Sequence, residues 1–149
     1  MIPSLPKLPR RRWMRLAAAG SAAAALFAVA SVLHAQSAAD SVSLDEARRL
    51  HEAGEAILID IREPDEHATG VAAGARLLPM SQLNRRVGEI PPGGDQPVLL
   101  ICRTQNRSAA TLRALRRHGY AHVRFVDGGM SQWARRGWPM VPPAPSGGR

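Results

Sequence analysis

The stretch VLLICRTQNRSAATLRAL, residues 98–115, decides the fold class and holds the single cysteine of the chain. Four aliphatic residues lead into Cys102, five polar residues follow it, and a segment with helical spacing comes next. A continuous apolar run without alternation is typical of a strand buried on both faces. The pattern therefore predicts a buried strand, a loop that begins at Cys102, and a helix that begins near Ser108.

The same strand pattern recurs on both sides of this stretch. Residues 55–60, EAILID, form one further apolar run, residues 75–80, ARLLPM, are predicted as a short strand, and residues 122–126, HVRFV, as the final strand. Strands that alternate with helices predict a three-layer α/β domain, with a mostly parallel central sheet and helices on both faces. Ligands bind beyond the carboxyl ends of the strands in such sheets. Asp60, Cys102 and Asp127 each end a predicted strand, so we expect them along one edge.

Three further segments carry helix signals. Ser43, with Glu46 three residues later, is a capping box that begins a helix. Residues 81–90, SQLNRRVGEI, are predicted as a second helix, which ends before two prolines. Met130 and Trp133 have i, i+3 spacing in a final short helix, and we expect both to be core residues.

The first 39 residues have the three parts of an export signal. Five basic residues and no acid lie here, residues 16–33 are uncharged and Ala-rich, and residues 33–40, LHAQSAAD, supply small residues where a signal peptidase could cut. This arrangement predicts a signal peptide at 1–39, cleaved after Ala35 or Ala39. We therefore expect a protein of the periplasm or cell envelope, exported by the Sec or twin-arginine route. The expected product has no membrane attachment after cleavage, and the alternative is an uncleaved anchor.

The charge balance argues against nucleic acid as a partner. The chain carries a net charge of +8, but without the leader fifteen basic residues face twelve acidic ones, which leaves +3. A mildly basic domain does not indicate nucleic-acid binding. One cysteine and five scattered histidines form no metal-ligand pattern. We therefore expect no metal and no cofactor, with the histidines solvated.

Cys102 is the candidate nucleophile. A helix that begins just after it would point unpaired N–H groups and a positive dipole end at the loop, which favours a thiolate. Arg103 and Arg107 would reinforce this effect. One cysteine cannot form an internal disulfide, so in an oxidising compartment it is either buried and inert or present for its reactivity. The polar residues that follow Cys102 predict a position at the surface edge, which favours reactivity.

Four segments in order resemble the rhodanese-like sulfurtransferases. The pattern Cys102-x4-Arg107-Ser108 resembles the active-site loop of that family, and LIDIREPDEH at 58–67 is similar to its Asp-x-Arg segment. GVAAGARLLPM at 70–80 is similar to a Gly-x-x-x-Gly-Ala turn, although Val-Ala-Ala stands where His-Ile-Pro is frequent. VDGGMSQWARRGWP at 126–139 is similar to a closing Gly-Gly-x-x-x-Trp signature. The resemblance implies a rhodanese-like domain at 40–141, followed by a disordered tail at 142–149.

The resemblance implies a double-displacement reaction. The Cys102 thiolate would take the outer sulfur of a small anionic donor such as thiosulfate, and a thiol, cyanide or a protein acceptor would remove it from a persulfide. The resemblance implies that the loop amides stabilise the sulfur anion, that Arg107 closes the loop, and that Arg103 binds the donor at the entrance of the site. It also implies that three residues shape the pocket, namely Thr104, Gln105 and Asn106. The implied supporting residues are Ser108, Asp60 and Arg62. For Asp60 and Arg62, an ion pair that only braces the neighbouring loop is the alternative.

Two other functions use the same motif. Related cysteine phosphatases and arsenate reductases also close a cysteine loop with arginine, but with five residues between the two rather than four. A non-catalytic module that binds or carries sulfur would show an identical motif. The sequence favours the sulfurtransferase, because a loop of four residues is tighter and suits one sulfur atom.

Overall fold

The computed structural model describes residues 40–144 of the chain. The predicted signal peptide at 1–39 and the last five residues of the predicted tail lie outside this range. Residues 142–144, at the start of that tail, carry no helix or strand. None of the helices within the described range is long and apolar enough to cross a membrane.

A five-stranded parallel sheet forms the centre of the domain, in the order β1-β5-β4-β2-β3. The strands are β1 (Ser41–Val42), β2 (Ile57–Asp60), β3 (Arg76–Leu77), β4 (Val98–Ile101) and β5 (Val123–Val126). The three long strands lie in the middle, and the two-residue strands lie at the edges. Short edge strands offer few unpaired backbone groups to another chain, which limits edge-to-edge association.

Helices follow the strands, as the sequence predicts. They are α1 (Leu44–Glu52), α2 (Pro64–His67), α3 (Leu83–Arg86), α4 (Asn106–Arg117) and α5 (Gly129–Arg135). Ser43 Oγ accepts the Glu46 N–H at 3.2 Å, so Ser43 is the N-cap of α1. The Glu46 carboxylate binds Arg49 instead of completing the capping box.

The core lies on both faces of the sheet, which confirms the predicted three-layer α/β architecture. Leu99 and Ile101 of β4 pack on one face, in a cluster that includes residues of α1 and α5. Val98 and Leu100 pack on the other face, against Leu112 of α4. All four side chains of β4 are therefore buried, which is why this strand shows no polar alternation.

The segment at 81–90 differs from its prediction as one helix. A single α-helical turn at Leu83–Arg86 lies between two 3-10 turns, Met80–Gln82 and Val87–Glu89. Gly88 costs about 1 kcal/mol relative to alanine inside a helix, and proline follows closely at residue 91. Tertiary packing of Ile90, which is 2% exposed, then determines the path of the chain.

Candidate active site

Cys102 follows β4 at the carboxyl edge of the sheet, beside the last residue of β2. Asp60 pairs with Ile101 in the parallel register, and Asp127 comes directly after β5. The predicted shared edge is thus confirmed. The prediction of a surface position for the thiol is wrong, because Cys102 is 0% exposed and belongs to the apolar cluster beneath the sheet. The polar residues that follow Cys102, at 103–106, are exposed, whereas the thiol itself is not.

The sulfur of Cys102 makes its described hydrogen bonds with one residue, Ser108. The Ser108 N–H donates to Sγ at 3.4 Å, and Ser108 Oγ lies 3.5 Å from Sγ. The Ser108 hydroxyl also donates to the carbonyl oxygen of Gln105 at 3.1 Å. The Ser108 hydroxyl has one hydrogen and therefore donates one hydrogen bond at a time. It can donate to the Gln105 carbonyl oxygen while accepting from the Cys102 thiol, or it can rotate and donate to a Cys102 thiolate. This pair of donors can therefore stabilise either protonation state of the sulfur.

The first turn of α4 supplies the backbone amide that contacts the thiol sulfur, whereas the loop amides at 103–107 are predicted to hold the outer sulfur of a persulfide. Helix α4 begins at Asn106, with Gln105 at its N-cap, two residues earlier than expected. Ser108 is then the third residue of the helix, where the backbone N–H has no partner within the helix. The amide that reaches the sulfur comes from this first turn of α4. The predicted donors at 103–107 make no described hydrogen bond to Sγ.

Arg107, which is predicted to close the loop, binds Glu66 of α2. Its two terminal nitrogens donate to the two carboxylate oxygens of Glu66, each at 2.6 Å. The hydrogen bonds from Arg107 lower the pKa of Glu66 to about 2. Sequence reasoning missed Glu66, because its partner lies 41 residues away and nothing local relates the two. Glu66 lies within LIDIREPDEH at 58–67, but the residues that carry the resemblance there are Asp60 and Arg62.

Asp60 and Arg62 form a buried ion pair. Arg62 Nη2 lies 2.7 Å from Asp60 Oδ2, and Nε donates to both carboxylate oxygens. Arg62 also donates to the carbonyl oxygens of Glu66 and Gly70, which ties the loop after β2 to the sheet. Every one of these contacts is internal to the domain. The geometry therefore favours the bracing interpretation over a direct contact with substrate.

His67 corrects the prediction that the histidines are solvated. It is 3% exposed, and its Nε2 lies 3.5 Å from Asp60 Oδ1, which is an electrostatic contact longer than a well-formed hydrogen bond. Burial would raise the pKa of Asp60, but the contacts with His67 and Arg62 hold it below its usual value. Asp60 therefore stays ionised within this network.

The N-terminus of α5 supports the cysteine loop, a role that the sequence did not indicate. Met130 N–H donates to the carbonyl oxygen of Cys102, and Ser131 N–H donates to that of Arg103, both at 2.8 Å. Gly129 has φ +59°, and a Cβ there would lie 2.0 Å from the carbonyl oxygen of Thr104. Only glycine allows this approach of two backbones. The closing glycine pair, expected to be a turn, thus also fixes the loop.

Met130 and Trp133 are confirmed as core residues, each 2% exposed. The indole N–H of Trp133 donates to the carbonyl oxygen of Pro139 at 3.0 Å. These contacts hold α5 against the sheet while its first turn meets the cysteine loop.

Two surface pockets flank the Glu66–Arg107 pair. Arg103 of the cysteine loop lines a pocket of about 370 Å³ together with Arg62, Glu66 and Met130. A second pocket, of about 480 Å³, includes Arg107 and Asn106 and is mainly apolar. Cys102 lines neither pocket.

The remaining loop residues have structural contacts. Gln105 Oε1 accepts the Gly128 N–H at 3.0 Å, so this side chain also joins the loop to the start of α5. Thr104 is exposed, and its carbonyl oxygen faces Gly129. Within residues 40–144, no three His, Cys, Asp or Glu side chains are grouped so that they could hold a metal ion. The chemistry available here is that of a single sulfur atom in contact with Ser108 at the first turn of α4.

Comparisons with known proteins agree with this geometry. The family model of the rhodanese-like domain matches residues 43–136. A protein named sulfurtransferase from Allochromatium vinosum is 39% identical over 104 residues, which cover 70% of this chain and 94% of that protein. The crystal structure of a rhodanese-related protein from Thermoplasma volcanium has a TM-score of 0.59 at 30% identity, over 69% of this chain and 98% of the other. A human single-domain sulfurtransferase gives 0.57 at 27% identity, over 65% and 96% of the two chains.

Proposed function

The chain belongs to the rhodanese-like domain family, and from this premise we propose that it is a sulfurtransferase with Cys102 as its nucleophile. The observation that carries the proposal is the position of the sulfur at the first turn of α4, where Ser108 offers an N–H at 3.4 Å and a hydroxyl at 3.5 Å. Preorganised donors of this kind stabilise a charge on sulfur without a cost of reorganisation during the reaction.

The proposed reaction has two displacement steps. The Cys102 thiolate attacks the outer sulfur of thiosulfate, the sulfur–sulfur bond of the donor breaks, and sulfite leaves with its electron pair. Cys102 then carries a persulfide. Cyanide attacks the terminal sulfur and leaves as thiocyanate, which regenerates the thiolate; a thiol acceptor attacks in the same way and becomes a persulfide. Covalent catalysis of this type divides one transfer into two easier ones.

Arg103 supports an anionic donor as the first substrate. Its side chain lies at the exposed loop and lines the pocket of about 370 Å³, whereas Arg62 and Arg107 are already paired with carboxylates. Arg103 is thus the arginine of the site that can offer its charge to a small anion. We assign the mouth of the site to this side of the loop. Cyanide, a low-molecular-weight thiol or a protein persulfide acceptor then completes the cycle.

The proposed place of action is the periplasm or cell envelope. This rests on the basic, Ala-rich leader of the sequence at residues 1–39. Expression of the full chain with a reporter that is active only outside the cytoplasm, whether it crosses the membrane folded or unfolded, tests it. Loss of the reporter signal when Arg10 and Arg11 become lysine would select the twin-arginine route over the Sec route.

The decisive experiment on the nucleophile combines turnover with mass spectrometry. The wild-type protein treated with thiosulfate should gain one sulfur atom on Cys102 and lose it on addition of cyanide. Cys102→Ser should fold normally and lose turnover. Ser108→Ala keeps the backbone donor but removes the hydroxyl, and should lower turnover about tenfold, since a hydrogen bond to a charged group contributes about 1.5–3 kcal/mol. Turnover retained by Cys102→Ser would refute the proposal.

The phosphatase or arsenate-reductase alternative is less well supported by the geometry. In such enzymes the arginine of the loop faces the bound oxyanion, but here both terminal nitrogens of Arg107 bind Glu66. An assay of the purified protein with an aryl phosphate tests the alternative. Release of phosphate faster than transfer of sulfur would select it.

A non-catalytic sulfur carrier is the remaining alternative. A carrier would gain sulfur from a protein partner and not from thiosulfate. The mass-spectrometric experiment separates the two, because absence of the added sulfur atom after thiosulfate treatment would favour the binding role.

A further inference from the structure

The charge of Arg107 is neutralised where a catalytic cation is expected. The guanidinium makes two parallel bonds of 2.6 Å to the Glu66 carboxylate, and the side chains are 31% and 23% exposed. Bidentate pairs of this geometry are strong and specific in orientation. Hydrogen bonds to Glu66 are the main cause of the raised pKa of Arg107, and the charge of Cys102 is a smaller one, so Arg107 lies within electrostatic range of Cys102. The two bonds to Glu66 therefore offset much of the charge that Arg107 presents to the sulfur.

We propose that Glu66 is a positioning residue, which holds Arg107 and cancels its charge beside Cys102. The thiolate then depends on Ser108 and on the first turn of α4 rather than on the guanidinium. The inference rests on the proposed function, since it concerns how reactive the nucleophile is.

Glu66 is held in place from two sides. Its Oε2 accepts the Glu63 N–H at 3.1 Å, and its carbonyl oxygen accepts Arg62 Nη1 at 3.2 Å. Arg62 is in turn fixed by the buried carboxylate of Asp60. The carboxylate that meets Arg107 is thus preorganised by α2 and by the sheet. A merely adventitious surface pair would have no such anchors.

Other charged groups around the loop are paired or exposed. The Glu63 carboxylate accepts the backbone N–H and the hydroxyl of Ser81. The Asp60–Arg62 pair, with His67 beside it, is buried on β2 and α2. The exposed charged residues near the loop are Arg103, Asp65 on α2 and Asp127 after β5. On its other sides the sulfur belongs to an apolar cluster. Replacement of Glu66 by a neutral residue is therefore the change that leaves the Arg107 guanidinium without its countercharge.

The experiment is a pH titration of the thiolate by its ultraviolet absorbance, with Cys102→Ser as the baseline. The chain has one cysteine, so the signal has one source. Glu66→Gln should move the midpoint of the titration down by about one pH unit, because a neighbouring unpaired cation favours the thiolate. Arg107→Gln should move it up, since Glu66 is then left unpaired. The double variant should return close to the wild-type midpoint.

Glu89→Gln is the matched control. Glu89 binds Arg86 with bonds of 2.6 and 2.8 Å in a comparable exposed pair, and neither residue lines the pockets beside the loop. It should leave the midpoint unchanged. An unchanged or raised midpoint in Glu66→Gln would overturn the inference and leave Glu66 a purely structural role.

Two features keep the test decisive. If Glu66→Gln fails to fold, as judged by circular dichroism, the charge-free double variant is compared with Arg107→Gln, and the inference requires the lower midpoint in the double variant. The titration needs no sulfur donor. Failure of sulfur transfer, which would refute the proposed function, is therefore measured separately from failure of this inference.

Discussion

Gly129→Ala is the substitution that tests most directly how the cysteine loop is held. The new Cβ would lie 2.0 Å from the carbonyl oxygen of Thr104 and 2.5 Å from that of Cys102. Because such contacts need roughly 3 Å or more, the two backbones must separate by about 1 Å. That movement breaks the bonds from Met130 N–H and Ser131 N–H to the loop carbonyls, both now 2.8 Å.

The expected loss in unfolding free energy is about 3 kcal/mol. A left-handed conformation costs a non-glycine residue about 1 kcal/mol, and each lost hydrogen bond costs about 1 kcal/mol. Displacement of the loop by about 1 Å should lower sulfur transfer by about a hundredfold. The assays are urea unfolding and steady-state transfer from thiosulfate to cyanide.

Gly54→Ala is the control for the backbone cost alone. Gly54 has φ +69°, and a Cβ there meets nothing within 4 Å. The Gly54→Ala variant should lose about 1 kcal/mol of unfolding free energy and transfer sulfur at the wild-type rate. If Gly129→Ala were no less stable than Gly54→Ala and transferred sulfur at the wild-type rate, the contact between α5 and the loop would not support the site, and the reasoning would be refuted.

Three further predictions concern the ion pairs and the core. Asp60→Asn should cost about 3 kcal/mol in urea unfolding, because it leaves the buried Arg62 guanidinium without its countercharge; a loss as small as that of Glu89→Gln would contradict this. Arg107 lowers the pKa of Glu66 to about 2, below its usual 4.5, so the pair adds stability above the unfolded pKa that is lost as the pH falls towards 2. From about pH 5 to about pH 2, the wild type should therefore lose about 2 kcal/mol more unfolding free energy than Glu66→Gln, and equal losses would count against the pair. Trp133→Phe should cost about 1–2 kcal/mol, since it removes the bond to Pro139, and a thermal melt that matches the wild type would exclude that contribution.

Much of the architecture could be predicted from the sequence, because its signals are local. Continuous apolar runs such as VLLI at 98–101 report strands buried on both faces, and the intervening periodic segments report helices. Right-handed parallel connections then place the ends of the strands on one edge, and Cys102 with them. The segment at 81–90 was predicted as one helix because its apolar spacing is helical, but glycine, proline and the packing of Ile90 divide it.

The loop itself was predicted less well, because its geometry depends on where α4 begins. Periodicity placed that start near Ser108, and the structure places it at Asn106. The start at Asn106 makes Ser108 the third residue of the helix, and its N–H donates to Sγ of Cys102 at 3.4 Å. No local pattern distinguishes the two starts, since Gln, Asn and Arg are compatible with a loop or with a first helical turn.

What the sequence by itself determined is the order of the elements, the parallel sheet and the edge on which the single thiol lies. The tertiary structure alone decided that the thiol is buried, that Arg107 is bound by Glu66, and that α5 supports the loop through Gly129. The physical reason is the distance along the chain over which each interaction acts. Hydrogen-bonded turns and apolar periodicity act over a few residues, whereas a carboxylate and a guanidinium 41 positions apart meet only after two strands and a helix have packed together.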